Sequence, residues 1–150
     1  MRRSPSLLAA VVALAACGDS TPNFEFAKAC AKELDGKTIA TTGYLRAPFA
    51  GLCRAPRGGT GPKTCSFDLR DKPEGEARLS LNVEAGSGPN RVDETKIAAQ
   101  LGAAAIAASD GKFLAERAHI RVTGVLRTVP NSLKPEETIC WLDVAKIERR

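Results

Sequence analysis

The chain has 150 residues and a formal charge of +5, and 43% of its residues are hydrophobic against 5% aromatic. That length is one domain's worth rather than several, with enough apolar residues for a core. Acidic and basic residues alternate along it, which argues against the clustered basic face of a nucleic-acid binder.

Residues 1–17 read as a targeting segment. Arg2 and Arg3 supply a positive start, and Leu7 to Leu14 supply an apolar stretch far shorter than the roughly 20 residues a membrane-spanning helix needs. Small residues then lead into Cys17 through Leu14-Ala15-Ala16-Cys17. This run resembles the lipobox of bacterial lipoproteins and matches that family's pattern at every position. The resemblance implies that residues 1–16 are a lipoprotein signal peptide. Cys17 is then the lipidated N-terminus, and residues 17–23 a tether to the membrane. Several acyl chains together give stable attachment, each buried methylene adding roughly 0.8 kcal/mol. In the better-known Gram-negative systems, aspartate directly after the cysteine retains a lipoprotein in the inner membrane. Gly18 departs from that signal, so a bacterial envelope location at the outer membrane is expected rather than the inner. Loss of Arg2 and Arg3 with the signal brings the remaining charge nearer to balance.

Residues 24–150 are expected to form the folded domain. Phe26, Cys30 and Leu34 recur every four residues and predict a short helix over 24–34, with Asn23 as its N-cap and Asp35-Gly36 as its stop. A threonine-rich strand with Gly43 inside it follows over 38–46. The segment 46–63 holds Pro48, Pro56 and Pro62 and reads as a loop. Over 64–70, Cys65, Phe67 and Leu69 share one face and Ser66, Asp68 and Arg70 the other. Over 78–84, Leu79, Leu81 and Val83 oppose Arg78, Ser80, Asn82 and Glu84. Two such runs joined by a polar turn predict a hairpin with one dry face. A helical pattern then runs from Val92 to about Leu101, with Asp93-Glu94 at its start. Residues 102–115 allow either a continued helix ending or a hairpin turn at Asp110-Gly111. Strands over 119–128 and 138–148 close the chain, the last with Cys140, Leu142 and Val144 on one face.

Apart from Cys17, the cysteines are Cys30, Cys53, Cys65 and Cys140. An even count in an exported chain reads as two disulfides, and none of the spacings is Cys-x-x-Cys, which disfavours zinc and thioredoxin-like redox chemistry. Three pairings are open. The favoured one joins Cys53 to Cys65, stapling the loop before the second strand, and Cys30 to Cys140, tying the N-terminal helix to the last strand.

Ile39-Ala-Thr-Thr-Gly-Tyr-Leu-Arg46 and Ile120-Arg-Val-Thr-Gly-Val-Leu-Arg127 are alike, each with Thr-Gly at the same offset. They read as two equivalent bent strands of one closed sheet, each glycine permitting strong coiling. Five strands with a helix between the third and fourth is the order of a Greek-key OB-fold barrel. The expected fold is therefore mainly β. It is a five-stranded OB-fold barrel with a short N-terminal helix and a second helix between strands three and four. An open β-sandwich of the same strands is the alternative. On this strand order and the two Thr-Gly strands, the chain resembles the periplasmic bacterial OB-fold proteins and the tRNA-anti-like lipoproteins. OB barrels host many tasks, so the resemblance is nearly silent on function.

No catalytic or cofactor motif stands out. Gly-x-Ser-x-Gly is absent, and Pro62 spoils the likeness of Gly58 to Thr64 to a phosphate loop. A lone histidine at the start of a strand, His119, is most often solvated or capping. Single-strand binders with this fold carry aromatic platforms and basic residues on strands two and three. Here that outward set has no aromatic, and its arginines, Arg70 and Arg78, are offset by two acids. Tyr44 and Trp141, off the dry faces of strands one and five, complete the candidate ligand-binding residues. The expectation is a non-catalytic, membrane-tethered binding module of the envelope for a protein, glycan or small ligand, without cofactor or metal. Single-stranded nucleic-acid binding and an enzyme with an unrecognised site are the alternatives.

Overall fold

The computed structural model describes residues 20–47, 53–99 and 102–150, so Cys17 lies outside the described residues. The domain is mainly β. Its strands are β1 (Asn23–Phe24), β2 (Thr38–Arg46), β3 (Cys53–Arg54), β4 (Thr64–Arg70), β5 (Arg78–Glu84), β6 (His119–Pro130) and β7 (Thr138–Arg149). They form one seven-stranded mixed sheet in the order β1-β2-β6-β7-β5-β4-β3. The C-terminal end of β2 also pairs with β4, through Tyr44–Arg70, Leu45–Leu69 and Arg46–Asp68. Hydrogen bonding thus passes from β2 through β6, β7, β5 and β4 back to β2. The five long strands fall where alternation predicts them. The count of seven corrects the expected five, because β1 and β3 are two-residue additions. β1 fills the edge of β2 at Ala40 and Thr41, and β3 lies inside the segment read as loop, opposite Thr64 and Cys65.

Two further expectations are corrected. The N-terminal segment is not a helix over 24–34 but two single 3-10 turns, Phe26–Lys28 and Lys32–Leu34, with Ala31 extended between them. Asn23 belongs to β1 and caps nothing of that kind. The helix after β5 is α1, Glu94–Ala98, shorter than the pattern implied, and a 3-10 turn over Gly102–Ala105 follows. Asp93 does start α1, its carboxylate accepting from Thr95 N at 2.9 Å. Beyond it the hairpin reading of 102–115 holds locally: Ala107 bridges Phe113 across a turn at Asp110-Gly111.

The core lies inside the circuit of long strands. Phe67, Leu69, Leu81, Val83, Ile120, Val122, Leu126 and Leu142 are fully buried, as the period-two pattern places them. Val92, Ile106 and Leu114, from the segment between β5 and β6, close one side of it. The last strand breaks its own alternation. Thr123 pairs with Lys146 and Gly124 with Val144, so Ala145 is an extra residue, and beyond this bulge Ile147 is buried, as Leu142 is before it. The two Thr-Gly segments are hydrogen-bonded neighbours. Ile39 lies opposite Gly124 and Ile120 opposite Gly43. Both glycines are sterically required. A Cβ on Gly124 would lie 2.2 Å from the Asp143 carbonyl oxygen, and one on Gly43 would lie 2.5 Å from that of Arg70.

The disulfides join Cys30 to Cys140 and Cys53 to Cys65, the favoured pairing. Cys53 and Cys65 are register partners in β3 and β4, and Cys30 ties the stretch between the 3-10 turns to the start of β7. Among the described residues no helix is long and apolar enough to cross a membrane.

Candidate functional site

Directly opposed residues of a sheet share a face, so the register decides which outward side chains are neighbours. One cross-strand row reads His119, Tyr44, Arg70, Arg78, from β6 through β2 and β4 to β5. The row beside it reads Arg46, Asp68, Ser80, Trp141, Arg127, from β2 through β4, β5 and β7 to β6. Tyr44, Arg70, Arg78 and Trp141 therefore stand on one outward face, although they come from four strands. A third row carries Ser66, Asn82 and Asp143. Here Ser66 Oγ donates to Asn82 Oδ1 at 3.3 Å, Asn82 Nδ2 to Asp143 Oδ1 at 3.2 Å, and Arg127 Nε to Asp143 Oδ2 at 3.1 Å.

The four candidates do different work. Arg70 is half-buried and its guanidinium is committed. One terminal nitrogen donates to Gly75 O at 3.3 Å and Glu76 O at 2.8 Å, and the other lies 3.3 Å from Asp68 Oδ2. It pins the turn between β4 and β5 and neutralises Asp68, which is 6% exposed despite its outward register. Arg78 is exposed beside it. Tyr44 is half-buried and stacked on His119, ring centroids 4.7 Å apart and planes 22° apart. His119 is exposed at the start of β6, as expected for a solvated residue. Trp141 is half-buried between Ser80 and Arg127.

At the edge of this face, Glu74 of the β4–β5 turn pairs with Arg46 at 3.4 Å and with Arg117, and Arg46 also approaches Glu116 at 3.9 Å. These exposed pairs tie the end of β2 and the segment before β6 to the turn. The face therefore offers an aromatic stack, a half-exposed indole, the exposed guanidinium groups of Arg78 and Arg127, the latter bonded to Asp143, and a hydrogen-bonded polar ladder. That inventory can hold a partner by stacking and directional hydrogen bonds. Among the described residues no group of three or more histidine, cysteine, aspartate or glutamate side chains is placed to hold a metal ion.

Sequence alternation identified the outward residues of β4 and β5, including Asn82 and Ser66. It missed the stacking of His119 on Tyr44 and the place of Asp143 in the ladder. Neither leaves a mark in local sequence, because both follow from non-local register; the only hint was that the two Thr-Gly segments are alike.

No family model matches the chain, and no curated protein matches it. Among solved structures it is similar to one titled "Crystal structure of a putative aspartyl-tRNA synthetase from Leishmania major Friedlin". The two are 15% identical, with a TM-score of 0.48 over 94% of this chain. The match spans 23% of that protein's chain.

Proposed function

We propose that the five long strands form an OB-fold barrel tethered through a lipidated Cys17 to the bacterial envelope, at the outer membrane. Its function is non-catalytic binding of an envelope protein or glycan. Support for the barrel comes from the pairing circuit, in which β2 meets both β6 and β4. Support for an exported, anchored chain comes from the run Leu14-Ala15-Ala16-Cys17 and from the two disulfides. The observation that carries the binding reading is the shared face of Tyr44, Arg78 and Trp141, flanked by the Ser66–Asn82–Asp143 ladder. Stacking side chains beside fixed donors and acceptors suit an extended partner lying across an exposed sheet face.

The test uses the immobilised lipoprotein with its disulfides intact, challenged with envelope glycan fragments and with isolated envelope proteins. A specific ligand should be retained by the wild type and lost at least tenfold, about 1.4 kcal/mol, in Arg78→Ala and in Trp141→Ala. Arg70→Ala is the contrasting variant. It unfastens the turn and leaves Asp68 unpaired, so it should lower stability by about 1–3 kcal/mol whatever it does to binding. Retention indifferent to Arg78 and Trp141 overturns the placement of the site. Salt-sensitive retention of single-stranded DNA in preference to both ligand classes overturns the function.

A further inference from the structure

The β6–β7 hairpin carries three of the four large hydrophobic side chains that stand exposed among the described residues: Leu133 at 89%, Ile139 at 49% and Val129 at 41%. Val129 and Ile139 are register partners and stand side by side. Leu133 lies in the connection between the strands, at the tip. Pairing of β6 with β2 ends at Val125–Thr38, so the hairpin from Arg127 to Cys140 projects past the start of β2. Its base is braced on both strands. Leu126 N donates to Lys37 O at 3.0 Å, Thr128 N donates to Asp35 Oδ1 at 2.7 Å, and Cys140 is bonded to Cys30. A stiff arm with an apolar end uncovered in water marks a contact surface.

The direction of the chain says what meets that end. β1 runs parallel to β2, with Asn23 opposite Ala40 and Phe24 opposite Thr41. The residues before Asn23 therefore leave along β2 toward Thr38, the end past which the hairpin projects. Six residue steps lead from Cys17 to Asn23, a reach of at most about 22 Å. Thr123 is level with Ala40 and hence with Asn23, and from there to Pro130 β6 extends about 23 Å in the same direction. The backbone at Cys17 can thus lie no farther out than the tip of the arm.

We infer that the hairpin tip is a second membrane contact. Leu133, with Val129 and Ile139 behind it, enters the headgroup–acyl boundary of the bilayer that holds the Cys17 lipids. The inference rests on the lipoprotein reading. Charges around the tip nearly cancel: Lys134 pairs with Glu137 at 2.9 Å, and Lys32 and Asp35 line the groove beside Val129 with Glu136. The contact is accordingly apolar, so neither anionic lipid nor low salt is needed. A lone tip binds weakly, but beside a fixed anchor its encounter with the bilayer is intramolecular, and a weak contact suffices. Docking at two points orients the domain.

The experiment uses the full lipidated protein in phosphatidylcholine vesicles whose acyl chains carry bromine. In Leu133→Trp/Trp141→Phe the tip holds the sole tryptophan. Its emission should be blue-shifted and quenched by the bromines, at low and high salt alike. Hydrogen exchange of residues 131–137 in the wild type provides a measurement free of substitution, and it should slow on vesicles. Solvent-like, unquenched emission from protein that floats with the vesicles, with exchange unchanged, sinks the tip contact and leaves the anchor standing. If the wild type does not float at all, and Cys17→Ser behaves like it, the lipoprotein reading fails and the inference falls with it.

Discussion

Individual residues of this chain owe their identity to what lies across the sheet from them. Gly124 is the sharpest case, since the β7 backbone passes where a side chain would begin. Gly124→Ala should cost about 1–3 kcal/mol through forced backbone shifts, seen as a lower urea midpoint at unchanged m-value. The same substitution at Gly36, with nothing near its Cβ position but a φ of +73°, would act through backbone strain alone. Among the described residues Arg121 is the one buried cation, 8% exposed, and it donates to Glu148 Oε2 at 2.7 Å. Hydrogen bonds from Arg121 first, and then Lys146, hold the Glu148 carboxyl below its ordinary value near 4.5. A carboxyl more acidic folded than unfolded adds stability above its unfolded pKa and loses it as pH falls through the folded value. The wild type should therefore lose melting temperature below about pH 4.5 more steeply than Glu148→Gln. Thermal melts across that range decide it, and equal slopes would remove Glu148 from the account.

At the scale of elements, local pattern and tertiary demand disagree in one place. Phe26, Cys30 and Leu34 have helical spacing, yet the chain makes two 3-10 turns broken at Ala31. A helix of about three turns is marginal without packing, and here the segment must turn from β1 back into β2 while Cys30 is held by β7. Asp35, expected to end a helix, instead caps the hairpin arm at Thr128 N. By contrast Asp93 and α1 agree, because capping is a local interaction. The disulfides constrain elements at very different separations, 110 residues for Cys30–Cys140 and 12 for Cys53–Cys65. On loop-closure entropy the first should contribute about 4.7 kcal/mol and the second about 3 kcal/mol. Cys30→Ser/Cys140→Ser should thus lower the melting temperature more than Cys53→Ser/Cys65→Ser, and the reverse order would show that the strand staple, not loop closure, dominates.

The whole molecule is defined by pairings between distant segments: β2 with β6, β5 with β7 in parallel, and β2 with β4. Such pairings pay loop-closure entropy before they return contacts, so folding should be governed by topology rather than by local propensity. The outward face of Tyr44, Arg78 and Trp141 exists only at this scale, since its members are up to 97 residues apart in the chain. So does the arrangement that sends the residues just before Asn23 and the hairpin arm the same way. The amino-acid sequence by itself determined the mainly β character, the long strands and their dry faces, because a two-residue period reports burial directly. It also singled out Gly43 and Gly124, as small residues recurring within otherwise alike strands. Only the tertiary structure decided the added strands β1 and β3, the burial of Ile147 beyond the bulge, the commitment of Arg70 to its turn and the exposure of Leu133. Each of these depends on register and on which groups remain to be covered, and register is settled by the packing of the complete sheet rather than by any one strand.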